Sequence, residues 1–471
     1  MMEALCALAP FFCQLGYCLG RSRQKDHRMR HSSKTHLLPV CQIYIWKSSK
    51  LRISVPQLTI SMDDTDSDKG LCTTYLAAVL IERIRPLAEL VGLPRLVRLN
   101  PCARFKTRGN AAVAILLNTS RPDDVREIAL QTLLELSDLS GENTNPGLVA
   151  ANRATPAMHD FYRRALTEIV EIQDAVDLLE EEGIWYRGLK KGRGLIGALA
   201  AAGAVFPDHT YELVTYRRRD RWGSRRAMKE ESVWAADAAT YPHTWDSVDY
   251  AQRRIVFSPH SPDPVLFGIR GDDPGYIWKA LRMIWSEEPE RAVLYLTNQG
   301  TDSHLLPGPS TEIGEDQSFY LEVTVAGLPW EIEGGHVFVQ MVYDGRPLSC
   351  AAFEPTKRFR DVVRALRPGD RVAVCGAVRG KTLNMEKLDV LDVASVTVKE
   401  APCCPVCLRR MKSAGRGQGY RCRRCGTRAA ALTRQIARAL QPGLYEVPPS
   451  ARRHLAKPLI RLDDPRAHPS R

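Results

Sequence analysis

The sequence predicts a multidomain chain: α/β and α+β units followed by a small β-barrel and a zinc ribbon. Three observations carry that prediction. Strand-like and helix-like periods alternate from Val55 to about Gly314, then give way to almost pure strand signals. Near the end, four cysteines fall into two Cys-x-x-Cys pairs. At 471 residues the chain is also too long for one core and suits roughly three to four domains.

The elements follow in order. Residues 55–62 read as a strand, 73–91 as a helix, Leu96–Leu99 and Ala111–Leu117 as strands and Pro122–Leu136 as a helix, an α/β unit placed at 55–167. A second unit, 168–316, carries helices at 170–183 and 274–285 and strands near 211–217, 254–257 and 292–297, an α+β sandwich. Leu305–Gln317 is polar with Gly and Pro and reads as a linker. Within 317–399 come strands Tyr320–Val325, His336–Tyr343, Leu348–Phe353, Arg371–Val378 and Leu388–Val396, with one helix, Thr356–Leu366, before the fourth. Five strands and one inserted helix match an OB-type barrel, whose face suits single-stranded nucleic acid; a generic β-barrel adaptor fits the same pattern.

Cys404, Cys407, Cys422 and Cys425 form two knuckles separated by fourteen residues, in a ribbon placed at 400–430. Four thiolates close a tetrahedral Zn²⁺ site with no open position, so the metal is expected to be structural. A segment that short buries too little core to fold without it.

Charge is unevenly spread. The net charge is +12, but residues 401–471 carry 16 Lys/Arg against 3 Asp/Glu, and residues 61–400 are net −8. The basic segment 431–471 reads as a tail, and beside the zinc motif it points to a nucleic-acid partner. The thirteen cysteines make no even disulfide framework, which fits a reducing cytoplasm. No apolar run is long enough for a membrane span. Residues 1–54 show no clear period and are expected to be a disordered leader or a mis-assigned start.

The most informative stretch is Ile60 to Thr74. Asp63, Asp64 and Asp66 share a short loop at a strand end, where their mutual repulsion suits a hard cation such as Mg²⁺. Thr73 and Thr74 begin the next helix, where backbone amides favour phosphate. An acidic turn capping a helix is the plainer alternative. Two basic loops supply further phosphate-type groups: Arg104–Asn110, and the Gly- and Lys-rich 187–201 that opens a small-residue helix. Together these are the groups phosphoryl transfer requires.

These motifs resemble the archaeal tRNA agmatidine synthetases. The likeness runs from about residue 55 to the end, through 60–67, 70–76, 98–101, 106–110, 144–147, 191–201, 333–338, 351–357, 413–419 and 445–455. The resemblance implies a kinase-like α/β domain, a ferredoxin-like α+β domain, an OB fold and a zinc ribbon. It also implies a cytoplasmic, ATP-dependent ligase that puts agmatine in place of the 2-carbonyl oxygen of the wobble cytidine, in the isoleucine tRNA with a CAU anticodon. The tRNA then reads AUA. ATP would first phosphorylate that oxygen, ending as AMP and two phosphates.

On this resemblance Asp63, Asp64 and Asp66 would hold Mg²⁺ and Thr73 would be the autophosphorylated residue. Lys106, Arg108, Gly109, Asn110, Lys191, Gly192, Arg193 and Gly194 would bind ATP. Two alternatives stay open from the residues: a non-enzymatic RNA-binding protein, and the same chemistry with another amine such as lysine.

Overall fold

The computed structural model describes residues 57–67, 70–104, 111–309 and 313–471. The expected leader, 1–54, lies outside them, as do Lys106, Arg108, Gly109 and Asn110.

A ten-stranded sheet runs through both the α/β and the α+β stretches. From one edge its order is Trp185–Gly188, Gly147–Ala151, Leu58–Asp63, Ala111–Asn118, Arg95–Arg98, Arg291–Thr297, Thr210–Tyr216, Val265–Gly271 and Thr244–Trp245, with Glu89–Leu90 added on Ala111–Asn118. The two halves meet at a parallel pairing of Arg95 with Leu296 and Leu96 with Thr297. The other pairings are antiparallel.

Strand alternation decides which helices cover which face. Leu58, Ile60 and Met62 join Val113 and Ile115 in a core shared with helices Thr73–Ile84 and Pro122–Glu135. Ala112, Ala114 and Val149 point the other way, into a core with Pro156–Thr167, Ile172–Glu181 and Gly194–Ala202. Further along, helices Glu230–Thr240 and Pro274–Met283 pack against the strand Val265–Gly271.

Five strands then close on themselves. Ser318–Val325 pairs with His336–Tyr343, which pairs with Arg346–Ala352; that strand runs parallel to Thr382–Asp392, and Arg371–Arg379 joins Thr382–Asp392 back to Ser318–Val325. The helix Phe359–Arg364 lies between the third and fourth strands in sequence and puts Phe359 and Val363 in the barrel core. In the ribbon, the four cysteine sulfurs lie within 4.8 Å of one another.

The structure departs from expectation at several elements. The helix from Thr73 ends at Ile84 rather than continuing to 91, because Pro86 has no N–H to bond the carbonyl of Glu82; Glu89–Leu90 instead pairs with Leu117 and Asn118. The linker contains a short strand, Leu305–Pro307, parallel to Ser318–Tyr320. The basic segment after the ribbon returns to the body. Gly443–Glu446 pairs with Lys387–Val390, and Arg452 is buried between Asp246 and Glu446. Among the described residues no helix is long and apolar enough to cross a membrane.

Candidate active site

Asp63 ends the central strand Leu58–Asp63, opposite Gly147. The chain then turns through Asp64, held at φ +57°, a conformation that Asp tolerates better than most residues. Asp66 is fixed by the Thr144 hydroxyl, which donates to its carbonyl at 2.9 Å. Thr65 donates to the hydroxyl of Thr73 at 3.0 Å, tying the acidic loop to the first residue of the next helix. Both threonines are buried.

The helix Gly194–Ala202 approaches this loop closely because it lacks side chains where it touches. A Cβ on Gly194 would stand 2.5 Å from the Asp63 carbonyl oxygen, and one on Gly147 would stand 2.6 Å from the Gly194 carbonyl oxygen. At the helix start Arg193 donates to the Asp64 carboxylate at 2.9 Å and to the Asn143 carbonyl at 2.8 Å. Electrostatics follow from this crowding. Burial, with repulsion from Asp64 and Asp66, pushes the Asp63 carboxyl well above its usual value. Burial raises Asp64 to about 6 even though Arg193 pulls it down. A cluster that strains against its own charge is one that gains from a divalent cation.

Asp63, Asp64, Asp66, Thr73, Thr74 and Arg193 all line one cavity of about 800 Å³. The same cavity lining carries a buried charge cluster. Glu212 accepts from Arg98 at 3.2 Å and from Arg270 at 3.3 Å, and Arg270 reaches His454 at 3.3 Å. Glu212 is buried, yet its two guanidinium partners outweigh the desolvation and hold its pKa below the usual value. Asp263 lines the cavity as well, with Val265 N–H donating to it at 2.8 Å.

Of the glycine-rich segment 187–201, Arg193, Ile196 and Gly197 line the cavity; Lys191, Gly192 and Gly194 do not. Their amides are engaged inside the protein, Lys191 with the Asn145 side chain, Gly192 with Leu189 and Gly194 with Asn145. The loop therefore seats the helix and aims Arg193. Among the described residues, only Cys404, Cys407, Cys422 and Cys425 bring three or more candidate ligand atoms within 4.8 Å of one another; the three aspartates share the cavity without converging that tightly. Sulfur contacts of 3.3–3.8 Å across the knuckles suit one tetrahedral ion.

Glu212, Arg270, His454 and Asp263 were not legible as site residues. One signal existed: Glu212 is a single acid within the apolar run Thr210–Tyr216, and a buried charge requires a partner.

Comparison with known proteins accounts for this arrangement. Three family models match, the TiaS TCKD domain over residues 59–191, the TiaS FLD domain over 192–304 and the TiaS C-terminal zinc ribbon domain over 401–440. The isoleucine-tRNA 2-agmatinylcytidine synthetase TiaS of Methanosarcina mazei is 47% identical over 428 residues, covering 88% of this chain and 100% of that protein. The crystal structure of TiaS in complex with its isoleucine tRNA and ATP superposes with a TM-score of 0.84 at 42% identity, over 88% of this chain and 100% of the other. A complex of TiaS with the same tRNA, AMPCPP and agmatine gives 0.81 at 39% identity with the same coverage. By sequence, domain order and fold, this chain belongs to the TiaS family of isoleucine-tRNA 2-agmatinylcytidine synthetases.

Proposed function

We propose that this protein joins agmatine to C2 of the wobble cytidine in the isoleucine tRNA with a CAU anticodon, at the expense of ATP. One observation carries the reading: in a chain that spans whole relatives crystallised with isoleucine tRNA, ATP and agmatine, the acidic loop, Thr73 and Arg193 line a single large cavity.

The chemistry explains the parts. A carbonyl oxygen at C2 is a poor leaving group, so a phosphoryl group is first transferred to it from ATP. The primary amine of agmatine then attacks C2, and the oxygen departs with its phosphate. Asp63, Asp64 and Asp66 would hold Mg²⁺, which spreads the charge of the triphosphate. Arg193, beside Asp64, neutralises phosphate charge, and Lys106, Arg108, Gly109 and Asn110 complete the ATP-handling set, while Lys191, Gly192 and Gly194 seat the helix whose start carries Arg193. Thr73, at the start of a twelve-residue helix, is the hydroxyl that takes up phosphate on the protein.

In architectural terms the first part of the sheet is a kinase-like α/β domain and the second a ferredoxin-like α+β domain. The closed barrel is an OB fold that, with the Zn²⁺-bound ribbon, serves the RNA. A cytoplasmic setting accords with the described cysteines, none of which is joined in a disulfide.

The test is direct. Purified protein is incubated with ATP, agmatine and isoleucine tRNA transcript, and the digested nucleosides are analysed by mass. Formation of 2-agmatinylcytidine, lost on Asp64→Asn or Asp66→Asn with the fold intact, supports the reading. RNA binding without any modified nucleoside would leave a binding protein instead.

A further inference from the structure

Residues 217–229 hold seven Lys/Arg against one Asp, inside a stretch, 61–400, that is net −8 overall. A local cation cluster in an acidic body is not explained by solubility. The fold sorts these residues into two kinds. Arg217 and Arg226 are inward anchors. Arg217, 1% exposed, pairs in bidentate fashion with Glu287 at 2.7 and 2.9 Å and donates to the Ser224 carbonyl at 2.8 Å. Arg226 donates to the carbonyls of Val265 at 2.7 Å and Ser261 at 3.1 Å.

Arg218, Arg219, Arg221 and Arg225, between those anchors, are exposed. The loop that carries them is braced from below, because Trp222 donates to the Arg217 carbonyl at 3.1 Å and meets Tyr75 edge-on at 5.1 Å. Tyr75 directly follows Thr73 and Thr74. Ser261 and Val265, which Arg226 holds, line the active-site cavity. Four exposed guanidinium groups are thus carried beside the cavity on a braced loop, Arg218 next to Asp220 at 3.2 Å and Arg219 over the Trp222 ring at 5.8 Å.

We propose that Arg218, Arg219, Arg221 and Arg225 form a phosphate clamp that holds the RNA backbone where the reacting nucleotide enters the cavity. The proposal rests on the RNA-ligase reading above. Planar guanidinium groups bind phosphodiesters in paired hydrogen bonds, and a braced loop loses little freedom in doing so. Backbone contacts fix register without reading sequence, so the clamp positions the RNA.

The test uses the full chain with all four arginines changed to Gln, and measures affinity for isoleucine tRNA transcript over a series of KCl concentrations. The slope of log affinity against log salt is expected to flatten by about 3 units, since each lost contact removes roughly 0.7–0.9, and affinity near physiological salt to fall about tenfold or more. Melting temperature and ATP affinity should stay at the wild-type values. Two double variants, Arg218→Gln/Arg219→Gln and Arg221→Gln/Arg225→Gln, should each show about half the change if the fourfold variant folds poorly. Wild-type slope and affinity in the folded variants would overturn the clamp, whatever else the loop binds. Wild-type protein that binds tRNA without modifying it would instead overturn the ligase reading while the slope comparison still decides the clamp.

Discussion

A methyl group on Gly197 would stand 2.6 Å from Cγ of Asp63, so the helix that starts at Gly194 lies against the strand-end carboxylate only because that position is bare. In an open helix Gly→Ala would gain up to about 1 kcal/mol of propensity. Here overpacking against a short, buried side chain costs roughly 1–3 kcal/mol and prevails. Gly197→Ala is therefore expected to lower the unfolding midpoint and to cut ATP-dependent turnover on the order of 100-fold through a displaced Asp63. Thermal unfolding together with single-turnover kinetics checks this, and a variant as stable and as active as the wild type would refute the contact.

Glu212 joins two distant parts of the sheet by accepting from Arg98 at 3.2 Å and Arg270 at 3.3 Å. Replacing it by Gln keeps the shape but removes the carboxylate charge that the two guanidinium groups share in a mostly buried setting. Losing one member of a buried ion network costs about 3–5 kcal/mol, far more than an exposed pair. Glu212→Gln should unfold at markedly lower urea concentration, while Glu135→Gln, which removes an exposed pair with Arg83, should change stability by less than about 1 kcal/mol.

What the sequence disclosed and what it withheld differ in one physical respect, the distance along the chain over which a site is assembled. Asp63, Asp64, Asp66 and Thr73 fall within eleven residues, and Cys404 to Cys425 within twenty-two, so local spacing alone was enough to single them out as candidates. Arg98, Glu212, Arg270 and His454 come together only through strand pairings and the returning C-terminal segment. The strand Gly147–Ala151 is made of Gly, Leu, Val and two Ala, too little β-branched character to stand out, yet it is fully buried because its neighbours cover it. The glycine-rich loop was legible as a motif but its role was not. Free amides for an anion were expected; the structure uses those amides to seat a helix, and the cation of that loop that lines the cavity is Arg193.

Glu386, buried in the barrel strand Thr382–Asp392, lies 3.5 Å from the buried His304 ring and 3.0 Å from Arg453. Burial alone would raise its pKa. The His304 ring against it and the charges of Arg453 and Lys387 outweigh that and hold it at about 2 against an ordinary 4.5. In the unfolded chain the carboxyl takes its proton near 4.5, so its contribution is fully present above that pH and is lost as pH falls from about 4.5 through about 2. Glu386→Gln should therefore lose less stability over that acid window than the wild type, by an amount on the order of 3 kcal/mol. Urea midpoints taken above and below the window measure it, and equal acid losses in the two proteins would contradict the assignment.

The ribbon and the segment after it should respond in opposite ways to removal. The ribbon's own core among the described residues is Cys404, Met411 and Cys422, with a few half-buried neighbours, so its order is expected to depend on Zn²⁺ held by the four cysteines. Chelation, or Cys404→Ser with Cys425→Ser, should release the metal and unfold that module, weakening tRNA binding while the barrel and the sheet keep their melting transition. The segment from Gly443 onward is built into the body. It supplies a strand beside Lys387–Val390, Arg452 enclosed by Asp246 and Glu446, and Arg461 bridging Asp208 and Asp272. Cutting the chain before Gly443 leaves Asp246 buried without its counter-charge and exposes the edge of Thr382–Asp392, for a loss of at least about 3–5 kcal/mol. A truncated protein that retained the full melting temperature would show that these contacts do not hold the body together. The expected result is a protein that aggregates or melts early, with ATP binding lost along with tRNA binding, because His454 in the cavity wall goes with the same segment.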